Sequence, residues 1–94
     1  MFIISLTYVA PIAELDSHLD AHRAWLAQGI ADGWLLAAGR KVPREGGILI
    51  ARGERDDIAA KAATDPFVVN RVAEFALIEF APAMVAPGLE MLKP

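Results

Sequence analysis

The sequence predicts an α+β domain whose elements follow in the order β-α-β-β-α-β. Four short segments are apolar throughout or alternate apolar side chains between two faces, as β-strands do. Two longer segments space apolar residues as one face of a helix requires. Elements in this order form the split β-α-β, or ferredoxin-like, plan, in which two helices cover one face of a four-stranded antiparallel sheet.

The first strand is predicted over residues 1–9, with apolar residues on both of its faces. Residues 12–30 are predicted as one amphipathic helix that ends near Asp32-Gly33, because glycine readily adopts the left-handed C-cap conformation. The stripe that should face the core consists of Ile12, Leu15, Leu19, His22, Leu26 and Ile30.

The rest of the chain supplies three strands and the second helix. The strands are predicted over residues 34–38, 48–52 and 73–80, and residues 39–47, rich in glycine and charge, as a hairpin loop. The second helix opens in an acidic segment and runs to the Thr64-Asp65-Pro66 sequence, since proline disfavours helix in the residue before it. Residues 67–71 are expected to add one helical turn.

The length of 94 residues predicts a single domain, with a core over residues 1–81 and an apolar tail over 82–94. The tail is expected to pack on the protomer or on its partner. The composition is 55% hydrophobic, against about 45–50% in typical domains. This excess predicts a homodimer in which two sheet faces cover each other.

Charge and residue usage exclude several classes of function. The formal net charge is -3 without a basic cluster, which argues against nucleic-acid binding. The absence of cysteine excludes disulfides, thiol catalysis and thiolate metal sites. No apolar run approaches about 18 residues, so no membrane span is expected. The predicted first strand begins at Met1 without a leader pattern, and we therefore expect a cytoplasmic protein.

His22 is the most informative residue, because it interrupts the aliphatic stripe of the first helix. An imidazole titrates near neutral pH and can accept and donate protons, which makes His22 a candidate general base or acid. It could equally be a core histidine bonded to a backbone carbonyl. His18 lies one turn earlier, but two histidines without a third ligand do not make a metal site, and no metal is predicted.

Asp65, in the Asp65-Pro66-Phe67 sequence, allows two interpretations. Aspartate is a favoured N-cap and proline a favoured first helical residue, so the sequence could simply begin a helical turn. Alternatively, Asp65 orients the imidazole of His22, as a carboxylate does in a catalytic triad. Sequence separation cannot decide between them.

Other polar and aromatic residues are candidates for a binding pocket. Tyr8 near the end of the first strand, Gly39 and Arg40 after the second, and Phe67 are predicted to contact a small ligand. Arg44 and Lys41 belong to the same predicted loop, where positive charge could bind an anion or serve solubility alone.

Four segments together resemble the YCII-related (YciI-like) family: DAHRAWL at 20–26, GWLLAAG at 33–39, GGILI at 46–50 and DPF at 65–67. The resemblance implies a dimeric α+β barrel of ferredoxin-like protomers. It also implies that His22 and Asp65 lie together in a cleft and do acid–base work. Relatives include a dehalogenase of chlorinated muconolactones. The chain departs from the family where Arg40 replaces a frequent proline, and where Leu19 replaces a frequent basic residue.

These observations favour a cofactor-independent enzyme that uses a His22–Asp65 acid–base pair on a small cyclic or lactone-like molecule. The reaction would be an acid–base reaction of the kind that lyases, isomerases or dehalogenases catalyse. The alternative is a dimeric module that binds a small ligand without changing it. A third interpretation, with His22 in the core and Asp65 only a cap, predicts that the two side chains lie far apart.

Overall fold

A computed structural model describes residues 1–93 and shows the predicted α+β fold. Its strands are β1 (Phe2–Tyr8), β2 (Leu35–Arg40), β3 (Gly46–Ala51) and β4 (Ala73–Glu79). Its helices are α1 (Ile12–Ser17), α2 (Leu19–Asp32), α3 (Arg55–Ala62) and the single turn α4 (Pro66–Val69). A 3-10 turn follows over Glu90–Leu92.

The four strands form one antiparallel sheet in the order β2-β3-β1-β4. Strand β1 lies in the centre, where Ile4 is opposite Leu49 of β3 and Leu77 of β4. In this order the strands of the two β-α-β units alternate across the sheet, which confirms the ferredoxin-like plan.

The core lies between the sheet and the helices. Phe2, Ile4 and Leu6 of β1 are buried there, because alternate residues of a strand point to the same face. Ile58 of α3 completes this cluster, and partly buried Leu26 of α2 packs against it.

The predicted first helix is divided at His18, whose backbone leaves the helical conformation at φ -109° and ψ 5°. The Ser17 hydroxyl donates a hydrogen bond of 2.7 Å to the carbonyl of Glu14, which a continuous helix would pair with the His18 N–H. That N–H bonds to Leu15 instead, at 3.0 Å. The prediction of one helix over 12–30 was therefore wrong.

The break also limits the predicted stripe. Leu15 and His22 are buried, but Ile12 and Ile30 at the two ends are 41% and 53% exposed. Gly33 ends α2 in the left-handed conformation, as predicted, at φ 86°.

The hairpin loop between β2 and β3 is shorter than predicted. Gly39 and Arg40 belong to β2, and Gly46 and Gly47 belong to β3, so only residues 41–45 connect the strands. Glycine and charged residues usually indicate a loop, but here pairing with the neighbouring strands keeps them in the sheet.

The tail beyond β4 is largely exposed over residues 81–93, and the Met84 side chain is 91% exposed. Its expected packing on a partner stays a prediction. No helix formed within residues 1–93 is long and apolar enough to cross a bilayer.

Gly46 is expected to be essential to the sheet, because a Cβ atom there would lie 1.9 Å from the carbonyl oxygen of Leu6. The Gly46→Ala substitution should lower the free energy of unfolding by about 1–3 kcal/mol or more, because the backbone of β1 cannot move aside cheaply. Urea denaturation measures this change. Gly39→Ala is the control, since nothing lies within 4 Å of its added Cβ; equal losses in the two variants would contradict the interpretation.

Candidate functional site

The structure brings His22 and Asp65 together, although 43 residues separate them in the sequence. The Nδ1 atom of His22 lies 2.7 Å from Oδ1 of Asp65, and both residues are buried. His22 projects from the first turns of α2, and Asp65 lies in the junction between α3 and α4. Because a carboxylate can only accept, Nδ1 donates the proton of this hydrogen bond. Nε2 is then left with its lone pair available.

Asp65 makes the hydrogen bonds that both interpretations of the sequence require. Its Oδ1 atom accepts the backbone N–H of Phe67 at 3.0 Å and so caps α4, whose first residue is Pro66. The same oxygen accepts from His22. The second oxygen, Oδ2, is buried and receives no hydrogen bond from residues 1–93. Within the described chain, the buried carboxylate is therefore stabilised by the two hydrogen bonds that Oδ1 accepts.

Two aromatic residues fix the plane of the imidazole. The Phe67 ring stacks on His22 with centroids 3.9 Å apart and planes 7° from parallel. Trp25 lies at 6.2 Å and is nearly parallel, at 22°. The indole N–H of Trp25 donates to the Thr64 hydroxyl at 2.9 Å, which ties α2 to the segment that carries Asp65. The ring of His22 thus has little freedom to rotate.

His22 borders a pocket of about 160 Å³ between α2 and the ends of the strands. All four residues predicted to contact a ligand line it: Tyr8, Gly39, Arg40 and Phe67. The apolar residues that line it come from the helices and from the strands: Leu6, Leu19, Leu26, Ala38, Leu49 and Phe67. An engineered cavity of about 150 Å³ can hold benzene, so this pocket matches a single six-membered ring.

Arg23 also lines the pocket, and sequence reasoning missed it. Helical periodicity puts Arg23 outside the apolar stripe, on the side of α2 that faces solvent, and its side chain is exposed. Its position next to His22 could have identified Arg23 from the sequence, because a residue next to a helical stripe borders the mouth of any cleft beside that stripe.

Arg44 does not line this pocket but fastens the β2–β3 loop to α1. Its guanidinium lies 2.7 Å from the Asp16 carboxylate and 5.9 Å from the centre of the Tyr8 ring. The hydrogen bond to Asp16, with a smaller contribution from Tyr8, raises the pKa of Arg44 above its usual value. The possibility that Arg44 binds an anion in this pocket therefore has no geometric support.

His18, the other candidate metal ligand, lies at the junction of α1 and α2. Within residues 1–93, no three side chains of His, Cys, Asp or Glu come together in the arrangement that a metal ion requires.

His22→Leu tests how strongly the carboxylate depends on its partner. We expect the free energy of unfolding to fall by about 2–4 kcal/mol, because Asp65 would keep a buried charge without its main donor. Combining it with Asp65→Asn should recover part of the loss, since the amide is neutral and keeps an oxygen for the cap. Chemical denaturation of the single and double variants measures both effects, with His18→Leu as the control. Stabilisation by His22→Leu would instead favour a purely apolar role for this position.

Comparison with known proteins agrees with this architecture. The sequence matches the YCII-related domain over residues 1–81, whereas no curated protein sequence matches it. Its fold is similar to 5-chloro-2-hydroxyhydroquinone dehydrochlorinase from Burkholderia phenoliruptrix, solved in complex with 2,5-dihydroxybenzoquinone. The TM-score is 0.70 at 16% identity, over 85% of this chain and 93% of that one, which shows a shared fold. Because the domain match spans nearly the whole chain, the protein belongs to the YCII-related family.

Proposed function

We propose that the protein is an acid–base catalyst acting on a small cyclic molecule, with His22 as the group that moves the proton. The observation that carries this proposal is the 2.7 Å hydrogen bond between His22 and Asp65 beside a pocket of single-ring size. A buried carboxylate that holds one imidazole nitrogen leaves the other to act on a ligand in the pocket.

The proton transfer needs only side chains of this chain. His22 accepts a proton from the ring or from one of its substituents through Nε2. Asp65 then stabilises the imidazolium through Nδ1. In an elimination, the leaving group departs with its bonding electron pair, and the imidazolium later gives its proton to the leaving group or to solvent. In an isomerisation, His22 returns the proton to a different atom of the same molecule. Neither sequence of steps requires a cofactor.

Support for a cyclic substrate comes from the pocket and from the structural neighbour. The pocket combines apolar walls with Tyr8, His22 and two arginines. Phe67 and Gly39 complete the lining. The neighbour of similar fold is a dehydrochlorinase that was solved with a quinone, which makes elimination of chloride from a small ring the first reaction to test.

We also propose that the protein is a homodimer formed through the outer face of the sheet. Ile3 of β1 lies beside Ile50 of β3 and Ile78 of β4 on the face opposite the helices. Ile78 is 53% exposed. A row of isoleucines across three strands is an apolar surface that a second copy of the sheet can cover.

The catalytic proposal predicts loss of turnover on substitution of either member of the pair. With 5-chloro-2-hydroxyhydroquinone or a chlorinated muconolactone as substrate, His22→Gln should lower kcat by about 100- to 10,000-fold. Asp65→Asn should lower kcat by about 100-fold or more with little change in KM, because the amide can hold the wrong tautomer of His22. Chloride release measures turnover, and His18→Gln is the matched control.

Unchanged turnover in His22→Gln would exclude the catalytic role. The alternative, a module that binds a small ligand without reaction, has a different signature. In that case a compound would raise the melting temperature equally in the wild type and in Asp65→Asn, and it would be recovered chemically intact.

The dimer proposal predicts that Ile78→Glu yields monomers, because a charge within an apolar interface would have to lose its water. Sedimentation velocity measures the change in mass. Ile30→Glu is a well-matched control, because Ile30 is also 53% exposed but lies on α2, away from the sheet face. A monomeric wild-type protein, or dissociation by both substitutions, would contradict the proposal.

A further inference from the structure

We infer that the ligand of the His22 pocket is a single-ring molecule that carries a negative charge, bound by the guanidinium groups of Arg23 and Arg40. This inference rests on the proposed function for the location of the site, and it adds the charge of the molecule that enters it. Four observations lead to it.

The first observation is the distribution of charge around the pocket. Two arginines line it, and none of the residues that line it is acidic. The chain as a whole contains 12 acidic and 9 basic residues and has a formal net charge of -3. The pocket therefore reverses the sign of the protein around it, which favours the entry of an anion.

The second observation is that neither arginine is used by the fold. Arg44 and Arg55 bind carboxylates, and Arg52 donates to the carbonyl of Gly33. Among the described residues 1–93, the side chains of Arg23 and Arg40 donate no hydrogen bond to any protein group and form no ion pair. Their donors remain free for a ligand.

The third observation is that the two arginines come from separate elements. Arg23 belongs to α2, one residue after His22, and Arg40 is the last residue of β2. Arg40 is opposite Gly47 of β3, which also lines the pocket. An anion between the two guanidinium groups would span the helix and the sheet, which bound the pocket on different sides.

The fourth observation concerns the negative charge that is already present. Asp65 lies behind the imidazole, and its Oδ1 atom is engaged by His22 and by the N–H of Phe67. It can balance an imidazolium but does not line the pocket. Both arginines therefore lack a counter-charge among the residues that surround the pocket.

The size of the pocket restricts the anion further. About 160 Å³ with mostly apolar walls suits one ring bearing a carboxylate or an ionised hydroxyl group. A guanidinium binds either oxyanion through charge-assisted hydrogen bonds. An ionised ring substituent near the arginines would place the apolar part of the ring against the leucines and Phe67.

Benzoate and benzamide test this inference, because they have nearly the same shape but only benzoate is charged. Titration calorimetry with the full-length protein should show benzoate binding about tenfold more tightly than benzamide. Arg40→Gln and Arg23→Gln should each weaken benzoate binding by about three- to tenfold and leave benzamide binding unchanged. Added salt should weaken the binding of benzoate alone. Ionised 4-nitrophenol compares a phenolate with the carboxylate, and a preference for either anion over benzamide supports the inference.

Arg71→Gln is the matched control, since Arg71 is also exposed and without an ion pair in the described chain but lies outside this pocket. The inference would be overturned if neither benzoate nor 4-nitrophenolate bound more tightly than benzamide, or if Arg71→Gln caused an equal loss of anion affinity. If the protein binds neither anion more tightly than benzamide while His22→Gln still abolishes chloride release, the inference fails and the proposed function stands. A preference for benzoate together with unchanged turnover in His22→Gln would support the inference and overturn the catalytic role of His22.

Discussion

The hydrogen bond between Nδ1 of His22 and Oδ1 of Asp65 is the interaction on which the site depends. It joins α2 to the α3–α4 junction at 2.7 Å. Burial makes this hydrogen bond necessary for stability, because the carboxylate lies away from water and its other oxygen accepts no hydrogen bond from residues 1–93. The same burial makes it useful, since it fixes which nitrogen of His22 carries the proton and which is available to a ligand.

The same atoms stabilise the local fold and set the geometry of the candidate site in this region. The oxygen of Asp65 that holds the imidazole also caps α4, and the first turn of α4 supplies the Phe67 ring that stacks on His22. Capping, stacking and orientation therefore reinforce one another, so that a change in any one of them would disturb the other two. Such coupling explains how a domain of 94 residues can hold a histidine rigidly without a large core.

Much of the fold and part of the site could be predicted from local patterns. The four strands follow from alternation and apolar runs, and the end of α2 follows from Gly33. His22 could be singled out because it interrupts an aliphatic stripe. The division at His18 could not be foreseen, because it depends on whether the Ser17 hydroxyl takes a helix carbonyl, and serine is common in continuous helices too. The length of the β2–β3 loop depends on strand pairing, which composition does not report.

The sequence by itself determined the order of the elements, the types of side chain available for chemistry and the apolar character of both sheet faces. These properties follow from periodicity and composition, which are local. The tertiary structure decided that His22 and Asp65 meet, that Asp65 is both cap and hydrogen-bond partner, and that Arg23 and Arg40 border one pocket. Each of those facts joins residues from different elements, and their distances depend on how the helices and the sheet pack, a property that no local pattern contains.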